Sequence, residues 1–467
     1  MISTSNITDF FKLLKQAVSD TTQDFTQVQI KKAIFLLAVP MVLEMIMESL
    51  FAVVDIFFVG KLGEHAIATV GLTEAAVMIV YSVGVGLSMA ATALISRRIG
   101  EKQYTKAGNA AFQLLVVGFV ISLFLGVGGY NYAREILSLM GGDEVVIEKG
   151  TPFAKIIFAG NTAIMLLFLI NGAFRGAGQA QIAMRTLWIS NGINIILVPV
   201  LIYGIGDFSG YGLQGAAWAT TTGRSIGVIY QLYNLLNGKH QLVIRRQNIR
   251  LSLKVLTRII VIAAGGMGQF FIDSAAWIVL TRIIAEFGST TVAAFTITFR
   301  VLIFSLMPAW GLSGAAATLV GQNLGAHKIK RAEISTLLTA RYNVIFLAAV
   351  TLIYLITGNL IAEMFTDIPE VSIITGKALR IIALGYVFFA IGMVMIQAFN
   401  GAGDTKTPAF INIGVLWCLE IPLALLLAFV AGLGATGVFI AIALCHSLHA
   451  MVSLYLFRKG NWKKVKV

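Results

Sequence analysis

Three acids share one apolar stretch, VLEMIMESLFAVVDIFF at residues 42–58: Glu44, Glu48 and Asp55. A carboxylate at the centre of a bilayer costs about 2.5–3.5 kcal/mol on insertion scales. On a helix turning about 100° per residue the three fall within roughly 40° of one another. Such a face must look into a bundle or a wet cavity rather than at lipid. Glu44 and Glu48 stand one turn apart, and two carboxylates that close cannot both ionise cheaply in a low-dielectric site. They take up a proton, bind a metal cation or pair with arginine. The first two outcomes are the chemistry of a coupling ion. Glu44 also fits a side chain that reaches back to interfacial water. Two more acids, Asp273 in QFFIDSAAW and Glu420, interrupt later apolar runs. For Asp273 a structural pairing with Arg282 or Arg300 is the alternative to a cavity role.

The elements that carry these acids are membrane helices. The 467 residues are 58% hydrophobic and 12% charged, with a mean hydropathy of +0.86. Soluble domains carry about 25% charged residues. Apolar runs such as FQLLVVGFVISLFLGVGGY (112–130) recur along the chain and suffice for a hydrocarbon core of about 30 Å. The alternation of barrel strands is absent. Twelve spans are expected, near 33–59, 68–96, 108–130, 152–173, 183–204, 213–236, 256–285, 291–320, 336–357, 378–399, 409–431 and 434–457. Pro40, Pro199, Pro308 and Pro422 mark candidate kinks. Residues 1–30 hold Asp9, Asp20 and Asp24 and lack the apolar core of a cleavable signal; FFKLLKQAV reads equally as a short interfacial helix or a frayed cytosolic tail.

Loops alternate in charge. The N-terminal segment, RRIGEKQYTK, RGAGQAQIAMR, KHQLVIRRQNIRLSLK, HKIKR, GDTK and the tail RKGNWKKVK form a basic set. The intervening loops are mostly neutral or acidic. The net charge of +13 therefore reads as orientation signal rather than nucleic-acid footprint, and both termini are expected in the cytoplasm of a multi-pass protein of the cell inner membrane.

The chain also repeats. At an offset of 225, LGEHAIATVGLT (62–73) overlies FGSTTVAAFTIT (287–298), GLSMAATALISRRIG (86–100) overlies GLSGAAATLVGQNLG (311–325), and AFRGAG (173–178) overlies AFNGAG (398–403). The offset also sets Asp273 over Glu48. The predicted fold is all-α integral membrane, with twelve transmembrane helices in two six-helix lobes related by pseudo-two-fold symmetry. The parts are a cytosolic segment (1–30), an N-lobe (31–236), a cytosolic linker (237–255), a C-lobe (256–457) and a basic tail (458–467). Two similar bundles flanking a cavity suit alternating access.

A family resemblance follows from LFAVVDIFFVGKLGEHAIATVGL, FRGAGQAQIAM, FNGAGDTKTPAF and the doubled six-helix plan. Over roughly residues 30–457 the chain resembles the multidrug and toxic compound extrusion (MATE) family. The resemblance implies a cation-coupled antiporter, in which Na+ or H+ enters as organic, often cationic, compounds leave. Asp55 matches the family's functional aspartate of the first helix. Asn194, in SNGINIILVP, matches an asparagine that joins it in an N-lobe cation site, so Asp55 and Asn194 are the expected Na+ ligands. Many members carry a second Asp or Asn four residues after Asn194; here Val198 stands there, and Glu48 is the candidate replacement oxygen. Thr220 and Thr221, in WATTTGR, match the sixth-helix threonine region, and Asn191 lies one turn before Asn194. Asp273 matches a seventh-helix acid of some members, while a tenth-helix acid of other branches corresponds to Phe389.

A cavity for amphipathic cations needs acids, methionine and aromatic faces. Asp273, Glu44, Met45, Phe51, Phe270, Trp277 and Glu420 are its candidate lining. Cys418 and Cys445 fall inside apolar spans and imply neither a disulfide nor a metal site. His446 and His449, three apart in CHSLHA, read as a polar packing pair. There is no P-loop, HExxH, CxxC or serine elbow, so neither an ATP-driven pump nor an enzyme is expected. No cofactor is implied beyond the coupling ion. The expected partners are a small organic substrate and the lipid bilayer, with the protein a monomer and no nucleic acid involved. A flippase for a lipid-linked or polysaccharide substrate is the alternative.

Overall fold

The computed structural model describes residues 4–19 and 23–467. Asp20 lies outside the described residues. Helix α1 (Thr4–Val18) is amphipathic, and its Phe10 ring meets Phe35 at 5.8 Å. The N-lobe follows as α2 (Ile30–Gly60), α3 (Glu64–Gly100), α4 (Tyr104–Asn131), the short α5 (Ala133–Leu139), α6 (Glu144–Ala159), α7 (Asn161–Gly176), α8 (Ala180–Tyr203) and α9 (Leu213–Leu236). The C-lobe holds α10 (Leu253–Ala285), α11 (Ser289–Gly325), α12 (Ile329–Glu363), α13 (Pro369–Leu384) and α14 (Tyr386–Ala402). Its eleventh span runs Lys406–Val430 through α15 (Lys406–Asn412) and α16 (Ile421–Leu425), with π-helical turns at Ile413–Glu420 and Leu426–Val430. Helix α17 (Ala435–Lys459) closes the lobe.

Among the described residues nine helices are long and apolar enough to cross a membrane, and two bent pairs, α6 with α7 and α13 with α14, each make one more span. Helix α9, less apolar because it carries Arg224, completes twelve. The helices overrun the expected loops: α6 begins at Glu144 inside the anticipated 131–151 loop, and α12 runs on to Glu363. Amphipathic ends continue a helix past the apolar core, so hydropathy underestimates its length.

Element boundaries reproduce the repeat. Moving α3 forward by 225 positions lands it on the bounds of α11, and α6 lands on those of α13. The α6–α7 pair bends by 40° at Gly160, and α13–α14 by 56° at the equivalent Gly385. A Cβ at Gly160 would lie 2.5 Å from the Thr221 hydroxyl on α9; at Gly385 it would lie 2.8 Å from the Ala443 carbonyl on α17. Both bends therefore sit where a backbone presses on the sixth span of its lobe. Helices α2, α8 and α11 run unbroken through Pro40, Pro199 and Pro308, while Pro422 lies between the two π-helical stretches.

Repeated glycines make the seam between the lobes. A Cβ on Gly86 would sit 2.5 Å from the Ala263 carbonyl of α10, and one on its repeat Gly311 would sit 2.6 Å from the Met41 carbonyl of α2. Near the helix ends, a Cβ on Gly100 would overlap the Gln322 carbonyl and one on Gly325 would overlap the Arg97 carbonyl. Gln322 is the repeat of Arg97, so each contact returns on itself as two-fold symmetry demands. These contacts lie toward the terminal face, the end of the bundle that carries the N- and C-terminal segments.

Straps cross the same face. Lys328, which precedes α12, and Arg331 of α12 donate to the Thr26, Phe25 and Val28 carbonyls, and Arg185 donates to Val18. Arg97 and Arg98 of α3 donate to the Val465 and Val467 carbonyls at 2.8 and 3.2 Å. The linker is pinned to α4 through Asn109, which donates to the Asn248 and Arg250 carbonyls.

Candidate ion and substrate sites

In the N-lobe, α8 lies along α2. Trp188 donates its indole N–H to the Leu43 carbonyl at 3.2 Å, and Tyr203 donates to Phe58 at 2.7 Å. That register brings the polar residues of α8 and α9 onto the acidic face of α2. Glu48 is held by Arg224, with guanidinium-to-carboxylate distances of 2.7 and 3.4 Å, and accepts from Asn191 at 3.0 Å. The Arg224 guanidinium also stands 4.9 Å from the Phe51 ring centre. Phe51 is thus engaged by an arginine of the protein itself. Glu48 likewise has both oxygens committed, so it offers none freely to an ion in place of the one absent at Val198, which is fully buried.

Glu44 is 1% exposed. Its carboxylate lies 3.6 Å from Arg175 and accepts from Asn171 at 3.3 Å, while Oε2 has no hydrogen-bond partner. Gln231 donates to Asn171 at 2.6 Å and extends this network to α9. Glu44 is therefore enclosed by the bundle, neither reaching interfacial water nor lining a cavity. Met45 is half-buried, and its carbonyl accepts from Ser49, whose hydroxyl also meets the Met307 sulfur of the other lobe at 2.6 Å.

Asp55 differs from both glutamates. Its Oδ1 is buried without a hydrogen-bond partner, and no ion pair engages it among the described residues. Glu74 on α3 and Arg224 are the charges within its electrostatic reach. Asn194 donates to Thr220 at 3.1 Å, while Asn194 Oδ1 and the Thr221 hydroxyl oxygen are also buried and unpartnered. Part of the expected set meets along α2, α8 and α9, while Thr221 faces Gly160 at the bend between α6 and α7. Asn191 joins Glu48 and Asn194 joins Thr220, but no hydrogen bond between Asp55 and Asn194 occurs among the described residues. Sequence reading assigned Arg175 to a basic loop and passed over Arg224, although an arginine inside an apolar span is itself a signal.

The C-lobe is built from different partners. Asp273 accepts from Asn412 at 2.7 Å, and the Asn412 oxygen meets His449 Nε2 at 3.0 Å. Neither suggested arginine holds Asp273: Arg282 pairs with Glu286 at 2.8 Å, and Arg300 lies within reach of Glu74. Glu420 is 1% exposed, so it is sealed inside the lobe rather than lining an open cavity; His446 Nε2 lies 4.0 Å away. The His446 ring packs edge-on against Phe389 with centroids 4.5 Å apart. Trp277 packs on Phe299 at 4.6 Å and on Phe295 at 5.8 Å, which makes it part of the C-lobe core. Phe270 is half-buried on α10. Both cysteines are free, and no cluster of three or more His, Cys, Asp or Glu side chains fit to hold a metal ion occurs among the described residues.

Comparison with known proteins agrees with this architecture. The chain is 24% identical over 450 residues to the probable multidrug resistance protein YoeA of Bacillus subtilis, spanning 96% of this chain and 97% of that one. It is 25% identical over 415 residues to a protein of Shewanella oneidensis described as an FAD transporter, spanning 88% and 90%. Among solved structures, the outward-facing conformation of a multidrug resistance MATE family transporter superposes with a TM-score of 0.89 at 24% identity, covering 96% of this chain and all of that one. The MatE family profile matches residues 40–200 and 267–426, one block in each lobe. The chain belongs to the MatE family and is a multi-pass membrane transporter rather than an enzyme.

Proposed function

We propose that this protein is a cation-coupled antiporter that exports organic, amphipathic or cationic compounds by alternating access, with Na+ or H+ as the coupling ion. The observation that carries the reading is Asp55: a carboxyl oxygen buried in a membrane span without a hydrogen bond or a paired cation. A buried carboxylate is stable only when something compensates its charge. Glu48 has Arg224 and Glu44 has Arg175, whereas Asp55 is left to a mobile cation. Unpartnered oxygens on Asn194 and Thr221 add to the acceptor character of the region. The multidrug designation of the Bacillus subtilis relative supports an organic substrate.

The transport cycle follows from this arrangement. The lobes meet at the terminal face, which the basic loops assign to the cytoplasm of the cell inner membrane. A state closed on that side admits the ion to Asp55 from outside. Ion binding removes the uncompensated charge, so it changes the relative free energy of the two lobe arrangements. Exchange of ion for substrate then drives export. Asp273 and the half-buried Met45 and Phe270 offer an acid and apolar contacts to a substrate held by a single subunit.

The test is ethidium efflux by purified protein in proteoliposomes, with Na+ and pH gradients imposed separately. Wild-type protein is expected to respond to at least one gradient, and the Asp55→Asn variant to neither. Efflux by Asp55→Asn at the wild-type rate would remove Asp55 from the coupling role. Wild-type indifference to both gradients would remove cation coupling altogether.

A further inference from the structure

The recess that α1 fills in the N-lobe has an open counterpart in the C-lobe. Ala17 of α1 and Phe25 close over Ala33, Leu36 and Ala180 in one buried apolar cluster. At the offset of 225 the equivalent positions are Arg258, Val261 and Thr405. These line a cavity of about 320 Å³ between the start of α10, the GDTK loop and the tail. Leu36 is 5% exposed, whereas Val261 is 47% exposed. We propose that this cavity is a binding site for the phosphodiester headgroup of an anionic phospholipid of the cytoplasmic leaflet. The site is separate from Asp55 and stands whether or not the ion-coupling reading holds.

Charge is the first support. Arg258 of α10, Lys406 of α15 and Lys466 of the tail come from separate segments and meet on the cavity wall. None of the three forms an ion pair with a carboxylate among the described residues. Asp404 is the one acid on the wall among the described residues, and Thr407 engages both its oxygens. Oδ1 accepts from the Thr407 backbone N–H at 3.2 Å, and Oδ2 from the hydroxyl at 2.7 Å. Like charges gathered on one wall repel, and a bound anion turns that cost into attraction. A phosphodiester brings one negative charge and two free oxygens, which lysine and arginine hold by charge-assisted hydrogen bonds.

The repeat is the second support. Ala33, Ala180 and Gln181 of the N-lobe are replaced by Arg258, Thr405 and Lys406 in the C-lobe. An apolar seat for the chain's own helix has become a basic one. The lobes therefore differ here in the chemistry of the occupant as well as in its presence.

Location is the third support, and it favours a lipid over a soluble phosphate. The cavity lies on the terminal face, where α10 leaves the basic linker, and the charge of the loops assigns that face to the cytoplasm. Leu253 and Ile260 of α10 and Phe410 of α15 are exposed beside the cavity-lining positions. On a membrane helix such side chains meet acyl chains, so a headgroup in the cavity has its tails alongside them. Basic pockets between transmembrane helices on the cytoplasmic side take anionic headgroups in this way.

The test is native mass spectrometry of full-length protein released from detergent micelles that hold phosphatidylglycerol and phosphatidylcholine in equal amounts. Wild type is expected to retain phosphatidylglycerol in preference to phosphatidylcholine. Arg258→Gln, Lys406→Gln and Lys466→Gln are each expected to lower that preference about fivefold, and the triple variant to abolish it. A control chain with Lys106→Gln, Lys239→Gln and Lys330→Gln removes exposed lysines outside the cavity and is expected to keep it. Equal retention of the two lipids by wild type, or an unchanged preference in the triple variant, would overturn the site. Loss of the preference in the control chain as well would reduce it to diffuse surface attraction and overturn it too. Displacement of the bound lipid by glycerol 3-phosphate would make the occupant a soluble phosphate, contrary to the lipid assignment.

Discussion

The two lobes share one scaffold and neutralise their acids in different ways. Glu48 and Asp273 occupy equivalent places on the first helix of each lobe. In the N-lobe the partner is Arg224, two-pronged, buried and backed by the Phe51 face. In the C-lobe the partners are an asparagine and, behind it, a histidine, and Glu420 faces a second histidine. Duplication thus preserved helix boundaries, bends and seam glycines while the polar interior diverged. Backbone geometry is set by close packing, which tolerates little change. A buried charge needs only some compensation, and arginine or a proton can each supply it.

Breaking the N-lobe pair should have the largest effect. Arg224→Ala leaves the partly exposed Glu48 without its cation, a loss approaching the lower end of the buried-pair range, about 3 kcal/mol. Thermal unfolding of the purified protein checks it, and adding Glu48→Gln to the same chain is expected to recover part of the loss. A single variant as stable as wild type would mean that the pair does not carry the Glu48 charge.

The seam tests whether the lobes are equivalent where they pack. Gly86→Ala and Gly311→Ala each press a methyl group onto a backbone carbonyl of the opposite lobe. About 1–3 kcal/mol is expected from each, similar for the two. A cost confined to one of them would show that the two-fold seam is energetically lopsided.

Smaller still are the two indole hydrogen bonds, Trp188 to Leu43 and Trp417 to Ile272, which join the first and fifth spans of each lobe. Trp→Phe at either site is expected to cost about 0.5–1.5 kcal/mol. Equal losses in the two unfolding curves would place the helix pairs in equivalent environments, and a loss confined to one lobe would separate them.

Glu420→Gln should change stability least, by less than about 1 kcal/mol, because no fixed cation is left behind. The same measurement checks it. A loss as large as that of Arg224→Ala would mean that Glu420 is the anion of a strong ion pair, contrary to the contrast between the lobes.

Much of the architecture was legible in the sequence. The repeated GLS and AF-x-GAG motifs gave the two lobes; the GLS glycines, Gly86 and Gly311, are seam residues, whereas Gly176 and Gly401 pack within their own lobes. Charged loops and apolar runs gave the spans. The bends at Gly160 and Gly385 were not legible, because those glycines yield to α9 and α17, which lie far away in the chain. The acids could be found but not their partners. Glu48 and Arg224 are 176 positions apart, and no local pattern joins them. Arg224 was within reach, since it closes the WATTTGR string whose threonines were singled out. His446 and His449 read as a polar packing pair, but their partners Glu420 and Asn412 are brought to them only by the fold.

The central claim is that Asp55 couples ion to substrate without being needed to hold the substrate. Exchange and gradient-driven transport in the same proteoliposomes separate the two roles. The account predicts that Asp55→Asn still exchanges labelled for unlabelled ethidium across the membrane but fails to concentrate it under either a Na+ or a pH gradient. Accumulation by Asp55→Asn at the wild-type level under either gradient would contradict it.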